Sequence, residues 1–380
     1  MSGAGTGTGA DERTAGPQAP QDIARELAAR APRTDDVHES FAAVEERAHA
    51  LLPALATARP AIGATPTVVV PSRRGRGRVR LKLESANTTG TVKARTAYAL
   101  VCAAVAEAGS TDVRLVEYSG GSLALALADL CAAVGIDLHM VVPHGAPERL
   151  RQTLLRYGLT VSSGRRGTGF LGAMDQAVRV ARQEKRKLLL QHCAPEAAAM
   201  HREHTGAELV SQLRAEDVEP VAFTAAVGSG SSLLGTSAAL RELWPSCACV
   251  GVFPAEAPYG DERPPDGAPR MNGTGGLGHA LRQPLLAPFE SWFSFRTVPY
   301  PEALDAMRRL RSQHHLAVSS SGAGAWLAAS AQVDDVSVPP GQEAVALVAG
   351  RGTVEEWAHA QEERIRRERA RTDAGGPDAD

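Results

Sequence analysis

Only four of the 41 basic residues are lysines, Lys82, Lys93, Lys185 and Lys187, and arginine fills every other basic position. Arginine keeps its charge and cannot form a Schiff base, so each retained lysine asks for a reason. Lys185 and Lys187 lie in the charged run 182–187, most simply a solvated helix end. Lys82 alternates with Leu81 and Leu83, as on a half-buried strand. Lys93 differs. It belongs to Asn87-Thr88-Thr89-Gly90-Thr91-Val92-Lys93-Ala94-Arg95, which follows a predicted strand and opens a predicted helix. A lysine there points into a strand-end crevice, where open α/β sheets bind ligands, and burial would favour its neutral, nucleophilic amine. Taken alone, this stretch is better read as a turn with a solvated lysine.

Three further segments join a predicted strand or loop to a helix. Gly228-Ser229-Gly230-Ser231-Ser232 has the composition of a phosphate cradle: glycines let the backbone close on an anion, and the helix start offers unpaired N–H groups. It lacks the lysine of a nucleotide-binding P-loop and does not match G-x-G-x-x-G. A plain Gly/Ser turn explains it equally well. Tyr118-Ser119-Gly120-Gly121-Ser122 offers a second anion site, sized for a carboxylate. Ser319-Ser320-Ser321-Gly322 precedes another helix. For these two a turn and an N-cap are the simpler explanations when each is taken singly.

The elements that must position these residues alternate. Helix is predicted over His38–Leu52, ended by Pro53, with strands at Thr67–Val70 and Val79–Glu84. From residue 96 the order is helix Thr96–Glu107, strand Val113–Tyr118, helix Ser122–Val134 and strand Leu138–Val142. Helix Pro147–Tyr157, strand Leu159–Ser162, helix Phe170–Glu184 and strand Lys187–Gln191 follow. Then come helix Met200–Arg214, strand Val221–Val227, helix Ser232–Leu243 and strand Ala248–Phe253. After the Gly/Pro-rich stretch 254–278 are helices Pro301–His314 and Gly322–Ala331, strand Ala344–Val348 and a charged helical tail from Trp357. Short apolar strands alternating with helices predict an α/β fold with mostly parallel sheets covered by helices.

At 380 residues the chain exceeds what one hydrophobic core usually holds, so two domains are expected. Residues 1–35 are weakly hydrophobic and read as disordered. A net charge of −2 gives no case for nucleic acid or an anionic membrane as a partner. No apolar run reaches the roughly 18–20 residues of a membrane span. The first 21 residues lack the basic start and apolar core of a signal peptide, which leads to the expectation of a cytoplasmic protein. The five cysteines form no C-x-x-C pair, and His201 and His204 lack the spacing and third ligand of a zinc site; neither a disulfide framework nor a metal is expected.

Taken together and in order, the segments resemble the cysteine synthase family of pyridoxal-phosphate (PLP) enzymes, of fold type II. Its N-P-x-G-S-x-K-D-R stretch is met by Asn87, Gly90, Lys93 and Arg95, with Thr91 for the serine and Ala94 for the aspartate. Ile62-Gly63-Ala64-Thr65-Pro66 resembles I-G-N-T-P, and Tyr118–Ser122 falls where the family has T-S-G-N-T. Gln191, Pro195, His201, Thr205, Gly206 and Glu208 match the stretch from Q-F to H-x-x-T-T-G-x-E-I. Gly228–Ser232 resembles G-T-G-G-T, and Asn272-Gly273-Thr274-Gly275-Gly276 resembles the loop Q-G-I-G-A. Ser320-Ser321-Gly322 resembles S-S-G. The likeness spans residues 60–355 or so.

The resemblance implies two three-layer αβα subdomains. Residues 36–85 and 190–360 would form the large PLP-binding domain, 86–189 a small mobile domain, and 361–380 a charged tail. Lys93 would carry PLP as a Schiff base and act as general base. Gly228, Ser229, Gly230, Ser231 and Ser232 would hold its phosphate, Ser320 or Ser321 would meet the ring nitrogen, and Gly121 would lie beside the 3′-oxygen, where the family has asparagine. Thr89, Ser119, Gly120, Gly121, Ser122, Gln191 and Gly273 would hold an amino-acid substrate. A hydroxyl at the ring nitrogen would leave it largely unprotonated. The activity implied is β-replacement on an O-activated serine, giving cysteine or a related β-substituted alanine, from a homodimer. The alternatives are a β-eliminating lyase giving a 2-oxo acid and a non-catalytic relative, to which Gly121 and Ala94 lend what support there is.

Overall fold

The structure is a computed structural model that describes residues 40–260, 269–274 and 282–374. The segment 1–35 and the ends of the loop at Gly275 and Gly276 therefore lie outside the described residues. The first described helices are α1 (Phe41–Leu51) and α2 (Pro53–Ala58). Pro53 ends α1 as its ring requires, and then serves as the first residue of α2, where its missing N–H is harmless.

Among the described residues, ten strands make two sheets. The larger has the order β1-β2-β10-β7-β8-β9, built from β1 (Thr67–Pro71), β2 (Arg78–Leu83), β7 (Ala222–Ala226), β8 (Ala248–Pro254), β9 (Phe293–Val298) and β10 (Glu343–Val348). Only β1 runs antiparallel to its neighbour. The smaller, all parallel, has the order β5-β4-β3-β6, from β3 (Arg114–Tyr118), β4 (Asp137–Val142), β5 (Thr160–Ser163) and β6 (Lys187–Leu188). Strand β10 is buried at every residue, the continuous pattern of a parallel strand covered on both faces.

Helices α3 (Lys93–Ala108), α4 (Ser122–Val134), α5 (Glu148–Arg156) and α6 (Gly169–Gln183) surround the smaller sheet in sequence. Helices α7 (Pro195–Met200), α8 (Ala207–Ala215), α9 (Ser231–Leu243), α10 (Tyr300–His314), α11 (Ser320–Val333) and α12 (Val354–Ala374) belong with the larger. One apolar core joins Phe41, Val44 and Ala48 of α1 to Tyr98 and Val101 of α3, Leu127 of α4 and Ala197 of α7. No described helix is long and apolar enough to cross a membrane.

The α/β architecture agrees with the sequence reading, and several local features depart from it. Lys93 is itself the first residue of α3, three residues ahead of the predicted start, because a bridge between Thr91 and Gly350 and the bond from Val92 N–H to Ala349 O dock the segment on the end of β10. Strand β6 stops at Leu188; Leu189 N–H still bonds Val116 O, but Leu190 turns to φ 53° and leaves the ladder. The helix expected from Met200 starts at Pro195 and opens into a π-helical stretch over His201–Gly206. Strand β9 was not foreseen. It is an edge strand whose Phe293 and Phe295 are half-buried while Ser294 and Arg296 are exposed, a short alternation behind a Gly/Pro-rich loop.

Candidate active site

Each sheet reverses its strand order once. In the larger, β8 and β9 lie on one side of β7 and β10 on the other; in the smaller, β4 and β5 lie on one side of β3 and β6 on the other. Ligands of open α/β sheets bind beyond the carboxyl ends of the strands at such points. Two segments singled out from the sequence leave the sheets there, Ser119–Ser122 after β3 and Gly228–Ser232 after β7, and Ala349–Gly350, which the sequence did not mark, leaves after β10. Gly350 is the hub. Its bridge holds Thr91, two residues before Lys93, and its carbonyl accepts from Ser319 N–H at 2.8 Å, which fixes the start of α11.

Lys93 projects from the first turn of α3, and its Nζ has no hydrogen-bond or ion-pair partner among the described residues. Burial without a compensating carboxylate lowers its pKa to about 8. Two residues on, Arg95 is held rigidly. Its Nε donates to Glu84 at 2.7 Å, and Nη1 and Nη2 donate to Glu208 at 2.9 and 2.6 Å. Lys82 joins the network, donating to Thr65 O at 2.7 Å and Glu208 at 3.1 Å. It is fully buried and ion-paired, not half-buried as its strand alternation implied. Glu208 is held down at about 2: burial would raise it, but Arg95 and Lys82 outweigh that. This network ties the base of α3 to α8 and so fixes where Lys93 can reach.

The phosphate-cradle candidate opens the 13-residue helix α9. Gly230 caps it at φ 95°, and a Cβ there would meet Leu286 Cγ at 2.6 Å. A Cβ on Gly228 would lie 2.7 Å from Gly273 O. Ser229, Ser231 and Ser232 are buried, with the Ser229 and Ser231 hydroxyls 3.3 Å apart. The first N–H groups of the helix have no intrahelical carbonyl to bond.

On the smaller sheet, Gly121 N-caps α4, and its N–H donates to Ser119 Oγ at 3.3 Å. A Cβ built on Gly121 meets nothing within 4 Å, so the space an asparagine side chain would fill is open. Thr89 Oγ1 is buried without a partner. Gln191 is committed in part, since its Nε2 donates to Tyr118 O at 3.2 Å and steadies the strand end. Gly273 lies against the Gly228 turn. Ser320 and Ser321 are buried at the start of α11; Ser321 Oγ lies 2.9 Å from Ser319 Oγ, the helix N-cap.

Three residues near these segments escaped the sequence reading. His192, next to Gln191, shares a 2.8 Å hydrogen bond with Tyr118 and stacks on its ring at 5.7 Å. Burial, with Lys93 nearby, lowers its pKa to about 3, so it is neutral. Glu117 is fully buried; neither carboxyl oxygen has a well-aligned partner, and burial raises its pKa to about 8, offset only in part by nearby N–H groups. The third is Glu356, whose carboxylate reaches Ser320. The only local sequence signal among them is the spacing Thr353-x-x-Glu356, a capping box.

An unpaired amine and glycine- and serine-lined helix starts at the switch points of two mostly parallel sheets have the chemistry to hold an anionic carbonyl cofactor. Residues 58–350 match the family described as pyridoxal-phosphate dependent enzyme, and the chain belongs to it. It is 30% identical over 207 residues to cysteine synthase B of Escherichia coli, covering 53% of this chain and 67% of that one. It is 28% identical over 255 residues to a cysteine synthase of Staphylococcus aureus, covering 66% and 79%. The crystal structure of O-ureido-L-serine synthase superposes with a TM-score of 0.68 at 22% identity, covering 79% of this chain and 92% of that one. The O-acetylserine dependent cystathionine beta-synthase of Helicobacter pylori gives 0.68 at 23%, covering 77% and 94%. This is a PLP-dependent, cysteine synthase-like enzyme of the α/β fold those structures share. The residues fit the cofactor: the unpaired Lys93 amine suits its carbonyl, and the turn at the start of α9, so closely packed that Gly228 and Gly230 leave no room for a Cβ, suits its phosphate with its backbone N–H groups and serine hydroxyls.

Proposed function

We propose that the chain catalyses β-replacement on an O-activated serine, O-acetylserine or O-phosphoserine, to give cysteine or a related β-substituted alanine. The observation that carries this reading is the unpaired Lys93 amine, lowered to about 8, so that an appreciable share is neutral near physiological pH. When bound, PLP supplies an electron sink for the charge left as the substrate loses its α-proton. Lys93 Nζ takes that proton and later returns it. The N–H groups and hydroxyls of Ser119, Gly120, Gly121 and Ser122 hold the substrate carboxylate at the start of α4, with the positive end of the helix dipole favouring the anion. Thr89 offers a buried hydroxyl without a partner, and Gln191 and Gly273 complete the substrate side. Gly228 to Ser232 anchor the phosphate, and Ser320 or Ser321 meets the ring nitrogen. The part of the chain at 86–189 is taken as a domain that closes over substrate, and the assembly as a homodimer. The names of the relatives, cysteine synthases and a synthase of another O-substituted serine, support this substrate class.

The test is the visible absorbance of the protein loaded with PLP, before and after O-acetylserine or O-phosphoserine. Borohydride should fix the cofactor on Lys93, as read by peptide mass, and Lys93→Ala should lose the band. Either substrate should shift the band, and sulfide should restore it with release of cysteine. Consumption of substrate without any nucleophile would favour the lyase instead. A protein that takes up no PLP, or whose band ignores every amino acid, would sink the enzymatic assignment.

A further inference from the structure

Two departures from the family pattern meet in space. Tyr118 stands where T-S-G-N-T opens with threonine, and His192 stands where Q-F has phenylalanine. They are 74 residues apart, yet the Tyr118 hydroxyl and His192 Nδ1 lie 2.8 Å from each other. Phe170 packs edge-on against both rings, with centroids 5.3 and 5.8 Å away. The bond fixes which nitrogen carries the ring proton. Tyr118 is fully buried, and burial, followed by the neighbouring Glu117, pushes its pKa well above the usual phenol range, so it keeps its proton. Among the described residues His192 Nδ1 is the one acceptor that this hydroxyl meets, and a buried O–H without an acceptor is costly. The hydroxyl therefore donates to Nδ1. A neutral imidazole has a single N–H, which must then be at Nε2. That nitrogen has no partner among the described residues, yet it is not sealed off as Thr89 Oγ1 and both Glu117 oxygens are. Its neighbours set what it faces. Gln191, the preceding residue, donates to Tyr118 O at the end of β3, where Ser119–Ser122 begins. Burial, and then the charge of Lys93, hold the ring neutral, so Lys93 is within electrostatic reach. A donor that borders both the carboxylate loop and the amine faces the part of an amino acid that joins neither, its β-substituent.

We propose that His192 Nε2–H, held in that tautomer by Tyr118, donates to a carbonyl oxygen of the β-substituent, and that the substrate is an O-acylserine and not an O-phosphoserine. The inference rests on the reading proposed above and narrows its substrate class. One uncharged N–H beside Tyr118 and Phe170 suits a neutral ester. A phosphate dianion would give up its water there for a single neutral donor, while Arg95 is engaged by Glu84 and Glu208 and Lys93 must be neutral to take the α-proton. As the Cβ–O bond breaks, its electron pair stays on the oxygen and the acyl group leaves as a carboxylate. The bond from Nε2–H strengthens as that charge develops, and no proton is transferred to the leaving group.

Two measurements test this. The first needs no cofactor: proton–nitrogen correlation NMR of the apo protein labelled in its histidine rings, with His192 assigned from its loss in His192→Phe or His192→Asn. The wild type should show the Nε2–H tautomer, and Tyr118→Phe should release it to a mixture. A ring protonated at Nδ1 in the wild type, or one that Tyr118→Phe leaves unchanged, overturns the inference. The second compares substrates in the PLP-loaded protein. The wild type should use O-acetylserine in preference to O-phosphoserine. His192→Phe, which returns the residue of the family pattern, should lower kcat/KM for O-acetylserine roughly three- to tenfold more than for β-chloroalanine, whose leaving group has no oxygen. Tyr118→Phe should move that ratio the same way, and serves in its place if His192→Phe does not fold. A preference for O-phosphoserine, or equal losses for the two leaving groups, overturns the inference and leaves the β-replacement reading standing. A protein that turns over neither serine ester nor β-chloroalanine removes that reading, and the inference with it.

Discussion

Lys93→Met should make the cofactor-free protein more stable at pH 7. Burial lowers the amine from 10.5 to about 8, and no carboxylate offsets the loss of solvation. At about 1.4 kcal/mol per pH unit, a fall of that size corresponds to roughly 3 kcal/mol. The side chain is only partly sheltered from solvent, so screening brings the expected gain to ~1–3 kcal/mol. The sign follows from proton counting. Above pH 10.5 the amine is neutral in both states and folding carries no penalty. Between 10.5 and about 8 the unfolded chain binds a proton that the folded chain lacks, so stability falls as pH falls. Below that window both states are charged, and the folded state bears the whole cost. Methionine keeps the length of the side chain and removes the charge. Urea midpoints of the two apo proteins at pH 7 and pH 10.5 provide the assay, because every other titrating group is common to both and cancels. Equal midpoints at pH 7, or a gap that survives unchanged at the higher pH, would refute the reasoning.

Three further outcomes can be checked directly. Arg95→Met leaves Glu84 buried without its charged partner and weakens the hold on Glu208, and should cost about 3–5 kcal/mol in chemical denaturation; a loss below about 1 kcal/mol would show that the network is not what fixes the base of α3. Gly121→Asn has open space for its side chain. It should leave the thermal midpoint of the apo protein unchanged while shifting the visible band of bound PLP, and an unmoved band would mean that the side chain does not reach the cofactor. Glu117→Gln should gain stability over wild type as pH rises from 4.5 to about 8, because there the folded protein keeps a proton that the unfolded chain has released. The gain should level off above that pH, and a pH-independent difference would exclude a buried neutral carboxyl.

The strands and helices that carry the site were legible because each has a simple period or composition: β7 and β10 are short apolar runs, and α4 and α9 start immediately after glycine. The segments around Lys93, Gly121, Gly228 and Ser320 could be found because backbone closure on a ligand demands small residues in a row. What stayed hidden depends on pairing across long stretches of chain. Tyr118 and His192 are 74 residues apart, and Ser320 and Glu356 are 36 apart, so neither pair leaves a local pattern. Lys82 looked half-buried because alternation reports the face of a strand and not what covers it; Glu208, 126 residues away, is what pairs with it. Strand β9 was lost for a different reason, being too short an alternation to stand out beside the loop before it.

The two outermost described helices matter beyond their size. Helix α1 packs Phe41 and Val44 into the core of α3, and its His49 and Glu45 both hydrogen-bond the Tyr98 hydroxyl, at 2.6 and 2.8 Å. Helix α12 holds Ser320 through Glu356. One helix thus braces the element that carries the lysine, and the other grips the element across from it. Trimming the chain to the matched boundaries at 58 and 350 would remove both supports while leaving every motif residue in place. A shortened version, or one with a bulky fusion pressed against either helix, would then test as a poor enzyme with an intact sequence signature, and its weakness would be wrongly charged to the chemistry of the site.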